Sequence, residues 1–133
     1  MLDDWYRAAD AEMALLAGRI ELARERAERV AAATAGAGEL FACGVAERVL
    51  GETSALQGDL AKADRHMAAS IAWHERGGIY VQIARTRLRW ALALRRSGEE
   101  ARASTLHAVA REDFARFRCG YALEECERVW LDS

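Results

Sequence analysis

Gly58-Asp59-Leu60-Ala61-Lys62-Ala63 decides the fold, because the chain repeats it. Gly18-Arg19-Ile20-Glu21-Leu22-Ala23 stands 40 residues before it and Gly98-Glu99-Glu100-Ala101-Arg102-Ala103 stands 40 after, with the Gly and the last Ala recurring without a slip. A fixed period of this length marks a repeat architecture in which each unit is one supersecondary element. Working outward, a small residue precedes each Gly by seven positions: Ala11, Gly51 and Ala91. A second breaker comes about 20 residues after each Gly, at Gly36 with Gly38, at Gly77 with Gly78, and at Gly120. Each unit therefore reads helix, Gly turn, helix, Gly-rich turn.

This punctuation predicts helices over 3–17, 19–35, 39–57, 59–75, 79–97, 99–117 and 121–131. Asp59 offers a capping carboxylate to the fourth, and Glu99 with Glu100 place negative charge at the positive end of the sixth. Ala11, Gly51 and Ala91 are expected to face Ala23, Ala63 and Ala103 across each hairpin, since helices approach to ~8 Å only over minimal side chains. Ile20, Val30, Leu50, Leu56, Leu60, Met67, Ile71, Ile83, Leu88, Leu94, Leu106 and Val109 are the expected core. The fold class predicted is all-α, a solenoid of three helix-turn-helix hairpins with a 40-residue period and a C-terminal closing helix. It forms one domain over 1–133, with repeats at about 1–38, 39–78 and 79–118 and a partial fourth unit at 119–133.

Composition agrees. The 133 residues contain no Pro, 10 Gly and 29 Ala, so good helix formers fill nearly every window and strands are close to excluded. No stretch approaches the ~20 apolar residues of a membrane span, and the reading is a cytoplasmic protein with no membrane partner. A net charge of −2 gives no whole-molecule attraction to nucleic acid. The three Cys residues, 43, 119 and 126, form no ligand cluster and fit free thiols in a reducing compartment.

At the quoted residues the chain resembles the tetratricopeptide repeat family, whose hairpins carry a small residue in the first helix, Gly at the turn, often Asp after it, and Ala in the second helix. Gly58-Asp59-Leu60-Ala61-Lys62-Ala63 is the closest stretch. The resemblance implies a right-handed superhelix, although the period of 40 exceeds the family's usual 34 and no Pro closes a unit. Lengthened, Ala- and Arg-rich repeats of this kind look like those of large bacterial LuxR-type (MalT-like) transcription regulators and signalling ATPases. The implied role is a docking scaffold for a protein or peptide within a regulator, and fold alone does not name the partner.

Candidate chemistry concentrates on the fifth helix. Arg85, Arg89 and Arg96 fall on one stripe, while Arg87 and Arg95 turn elsewhere. In the family that the chain resembles, first helices line a concave groove, so the stripe is expected to meet a bound peptide or anion as a row of planar donors. Glu12 and Glu52 share its phase on the first and third helices, and Arg48 sits ~60° off as a flank. The competing reading pairs these arginines with Glu47, Glu52, Glu124, Glu125 and Glu127 on neighbouring helices. A small-molecule sensor for an anionic effector is the alternative function.

No enzyme pattern is present: there is no Gly-rich phosphate loop, no G-x-S-x-G and no H-E-x-x-H, and Gly36-Ala37-Gly38 lacks the preceding strand of a dinucleotide loop. No catalytic residue, metal site or cofactor is predicted. His66, His74 and His107 have no zinc-ligand spacing. Met1 falls at the repeat phase of Phe41 and Ser133 at that of Ala93, so the chain is expected to be a fragment of a larger regulator or an array completed by a second copy. Trp5, Tyr121 and Trp130 are the expected contacts of such a homodimer.

Overall fold

The computed structural model describes residues 2–34 and 39–133. They form α1 (Leu2–Leu16), α2 (Ile20–Thr34), α3 (Leu40–Leu56), α4 (Leu60–Gly77), α5 (Tyr80–Arg96), α6 (Glu100–Arg116) and α7 (Gly120–Asp132), and no strand is found among the described residues. Every predicted helix is present, with ends that lie, where they fall within the described residues, within a residue or two of those expected. The expected turn at Gly36 and Gly38 lies outside the described residues. No helix among them is long and apolar enough to cross a membrane.

Five turns share one hydrogen-bond scheme. Gly18 N donates to Leu15 O at 3.0 Å and Arg19 N to Ala14 O at 2.9 Å, and the same two bonds recur at Gly58/Asp59, Gly78/Ile79, Gly98/Glu99 and Arg118/Cys119. This Schellman arrangement satisfies the last carbonyls of a helix and requires a left-handed residue after it. Gly58 and Gly98 supply it at φ 84°. In the last of these turns the residue is Arg118 at φ 56°, a conformation that costs a residue with a Cβ about 1–2 kcal/mol. Gly120, expected to break the chain there, instead opens α7 as its first residue. The predicted cap of α4 is present: Asp59 Oδ1 accepts from Lys62 N at 3.0 Å.

Each helix packs against its neighbours in sequence, and α1 with α3 and α3 with α5 also touch. The small residues expected at the close approaches, Ala11, Gly51, Ala91, Ala23, Ala63 and Ala103, are all buried, and Gly51 lies against the side chain of Met67. Two apolar clusters result. One joins α1, α2 and α3 through Ala8, Ala11, Ala27, Val30, Val45, Ala46 and Val49; the other joins α5, α6 and α7 through Leu88, Leu92, Ala110, Phe114 and Cys126. Burying a side chain such as Phe114 contributes about 1.5–3 kcal/mol. Of the expected core, Val30, Leu50, Met67, Ile83, Leu88 and Leu94 are buried and Ile20, Leu60, Ile71, Leu106 and Val109 half-buried. Leu56, the last residue of α3, is the exception and is exposed.

Candidate functional site

The odd-numbered helices bring their charged side chains to one cleft. Its walls include Glu12 of α1, Arg48 of α3, Arg85, Leu88 and Arg89 of α5, Phe114 of α6, and Glu125 and Val129 of α7. Four of the six predicted groove residues, Glu12, Arg48, Arg85 and Arg89, therefore meet there. Glu52 lies beneath them as the partner of Arg89. Arg96 is not one of the walls; it is exposed in the last turn of α5.

The expected place of Arg48 on the flank is corrected. Its side chain is only 3% exposed, and it is the hub of the cleft. Nη2 donates to Glu12 Oε2 at 3.0 Å, while Nη1 reaches Gln82 Oε1 at 3.1 Å and Thr86 Oγ1 at 3.3 Å. Thr86 Oγ1 lies 2.9 Å from Ser70 Oγ, which donates to the carbonyl of Gly44 at 2.7 Å. One polar chain thus runs from α1 through α3 and α5 to α4. A buried guanidinium needs this many partners, because an unpaired charge at such a site is prohibitively costly. A helical wheel of α3 alone does not show which side chains of α1 and α5 come within reach, which is why the phase argument placed Arg48 outside the stripe.

Arg89 is held as a fork. Nε donates to Glu52 Oε1 at 2.7 Å and Nη2 to Glu52 Oε2 at 2.9 Å, a bidentate pair of the strong kind. This hydrogen bonding raises the guanidinium's proton affinity, with burial opposing it and the charges of Glu52, Glu12 and Glu125 adding to it. Arg87 pairs with Asp113 at 2.8 Å, and Arg95 stacks over the Trp130 ring at 4.2 Å. Most of the arginines of α5 are therefore structural, with Glu52 the acceptor that the pairing reading named; Glu47 pairs with His66 instead, at 2.6 Å. Arg85 and Arg96 are the exceptions: both are exposed and make no ion pair among the described residues, and of the two only Arg85 lines the cleft.

The open space is small. The cleft holds about 60 Å³, against roughly 300–1,000 Å³ for sites that enclose a small molecule. Among the described residues no group of three His, Cys, Asp or Glu is placed to hold a metal ion.

Sequence reasoning missed two features. His74 is fully buried, with Nε2 3.1 Å from the Phe41 carbonyl and a buried Nδ1 without a partner, and burial lowers its pKa below the usual 6.5. The ring lies against Gly44, where an added Cβ would fall 2.1 Å from Nε2; a Gly inside a predicted helix was the available signal. The second is a space of about 390 Å³ between α1 and α2, walled by Arg7, Asp10, Arg26, Arg29 and Val30.

Of the predicted contact aromatics, Tyr121 stands in solvent. Trp5 is half-exposed, stacked on Phe41 at 4.5 Å and donating Nε1 to Glu39 Oε1 at 3.2 Å. Trp130 is drawn inward, stacked on His107 at 4.1 Å with Arg95 on its ring. No family model, curated protein or solved structure matches the chain, so the cleft is interpreted from its own geometry.

Proposed function

We propose that the chain is a non-catalytic interaction scaffold, a right-handed helical solenoid of three hairpins and a closing helix that docks a peptide or protein segment across the mouth of the α1–α3–α5–α7 cleft. In keeping with the resemblance of its repeats, it serves as a cytoplasmic regulatory module of a bacterial transcription regulator. One observation carries the reading: Glu12 and Glu52 neutralise Arg48 and Arg89 within the floor, whereas Arg85 remains unpaired at the rim. A floor that is already paired has little left to offer an anion, and about 60 Å³ does not enclose a metabolite. An extended or helical segment that lies across the rim needs no deep pocket and gains a guanidinium fork for a carboxylate.

Titration calorimetry with a panel of short acidic peptides and, separately, with di- and tricarboxylates and inorganic phosphate tests it. Peptide binding that weakens about tenfold in Arg85→Ala supports the scaffold reading. Binding of a small anion that survives the peptide panel's failure overturns it in favour of the effector sensor.

A further inference from the structure

In the second hairpin Glu47 of α3 and His66 of α4 close on each other at 2.6 Å. The residues 40 positions earlier, Arg7 of α1 and Arg26 of α2, carry charges of one sign. Gly18 and Gly58 turn the two hairpins through the same pair of hydrogen bonds, so these are equivalent places in the fold. The third hairpin has Arg87 and Leu106 there, and Arg87 turns to Asp113 at 2.8 Å. The first hairpin has no such closure. Neither Arg7 nor Arg26 makes an ion pair among the described residues, and together with Asp10, Arg29 and Val30 they wall an open space of about 390 Å³. That volume falls within the roughly 300–1,000 Å³ of sites that enclose a small molecule, which the Arg85 cleft does not reach.

We propose that this space binds a small phosphate monoester, whose phosphate bridges Arg7 and Arg26 where the second hairpin has an ion pair of its own. Both guanidinium groups are exposed, so water and salt screen their repulsion and the fold tolerates them. To an anion they offer two planar forks from opposite helices. A phosphate monoester brings a charge of about −1.5 to −2 and three acceptor oxygens, enough for both forks at once. Arg29 is a weaker donor on the flank, since Glu25 already holds it at 2.7 Å. Asp10 repels the phosphate and thereby orients the ligand: its carboxylate accepts from a hydroxyl at the other end, which makes the ester that of a hydroxylated carbon skeleton. The same carboxylate turns away ligands with a second anionic end. Val30, buried between the charged walls, supplies an apolar floor.

None of these walls belongs to the Arg85 cleft, so this site and peptide docking fail independently. Titration calorimetry of the full chain at low ionic strength with ribose 5-phosphate, inorganic phosphate and succinate tests it. Ribose 5-phosphate is expected to bind with a dissociation constant of order 0.1 mM, and succinate at least about tenfold more weakly. Arg26→Ala weakens ribose 5-phosphate about tenfold or more, whereas Arg85→Ala leaves it unchanged. Arg7→Glu with Arg26→His copies the second hairpin's pair into the first and abolishes binding, with the circular dichroism kept because both side chains are exposed. Asp10→Ala lowers the preference for ribose 5-phosphate over inorganic phosphate about fivefold. No heat from ribose 5-phosphate up to about 10 mM, or binding that Arg26→Ala leaves within about twofold, overturns the proposal. Binding lost in Arg85→Ala moves the ligand to the cleft and overturns it as well. Succinate that binds as tightly as ribose 5-phosphate overturns the phosphate class, and a preference that Asp10→Ala leaves intact overturns the hydroxylated skeleton.

Discussion

The contact of α3 with α1 and α2 and its contact with α4 and α5 are built from different materials. The first is mainly a seam of small side chains, Ala8, Ala11, Ala27, Ala42 and Ala46 with three valines, crossed by the Arg48–Glu12 pair and the Thr34–Cys43 contact. The second runs through Arg48, Ser70, Thr86 and Gln82, with the ring of His74 seated on Gly44. Both serve helices of nearly the same length at the same sequence spacing. The alanine seam holds by close approach and dispersion, which have no preferred direction, so it fixes separation more than register. The polar seam depends on donor and acceptor directions, and α5 is locked lengthwise against α3 and α4.

The sharpest way to break this contrast is to add bulk within α3. Gly44→Val should cost about 3 kcal/mol or more, because the atoms in its way belong to a fully buried imidazole that has nowhere to swing. Gly51→Ala provides the control. Its Cβ would stand 2.9 Å from the flexible thioether of Met67, so the cost should stay near 1 kcal/mol. Urea unfolding of both variants checks the difference.

Cutting the polar seam at its hub comes next. Arg48→Ala should destabilise by about 2–3 kcal/mol, through a cavity and the lost partners of Thr86 and Gln82. Glu12→Gln should cost less, about 1–2 kcal/mol, since the amide oxygen can still accept from Arg48 Nη2 although the buried guanidinium loses its counter-charge. Equal losses from the two would show that the network is not centred on Arg48.

Acid gives the smallest effect. Burial lowers the pKa of His74, and that of His107, below 6.5, so both are neutral in the folded chain and take up protons more readily once it unfolds. The stability that they confer is complete above pH 6.5 and is lost as pH falls through the folded values. The melting temperature should therefore be level above neutrality and decline toward pH 5, with a shallower decline in the His74→Gln, His107→Gln double variant.

The repeat made the helices, the Gly turns and the small hairpin positions legible, because each follows from local chemistry at a fixed spacing. The site was legible in part. Glu12, Glu52, Arg85 and Arg89 share a helical phase and are brought to one region, whereas the central role of Arg48 depends on the partners that α1 and α5 bring to it, Glu12, Gln82 and Thr86. Ser70 and Thr86 carry no sign in the sequence that they will share a hydrogen bond, since they lie on helices whose relative register only the packed structure sets. Gly120 misled for the opposite reason: Arg118 adopts the left-handed conformation that a Gly ordinarily provides.

No side-chain hydrogen bond or ion pair among the described residues spans more than the 38 residues between Arg48 and Thr86 or Arg95 and Ser133, less than one repeat. Among the described residues the main helix contacts join neighbours and next-but-one neighbours. Little loop-closure entropy then opposes any single contact, and a chain of such low contact order belongs with the microsecond-to-millisecond folders. Structure can start at any hairpin and grow in either direction, so variants in the alanine seam and in the polar seam should leave different parts of the chain ordered when the other fails.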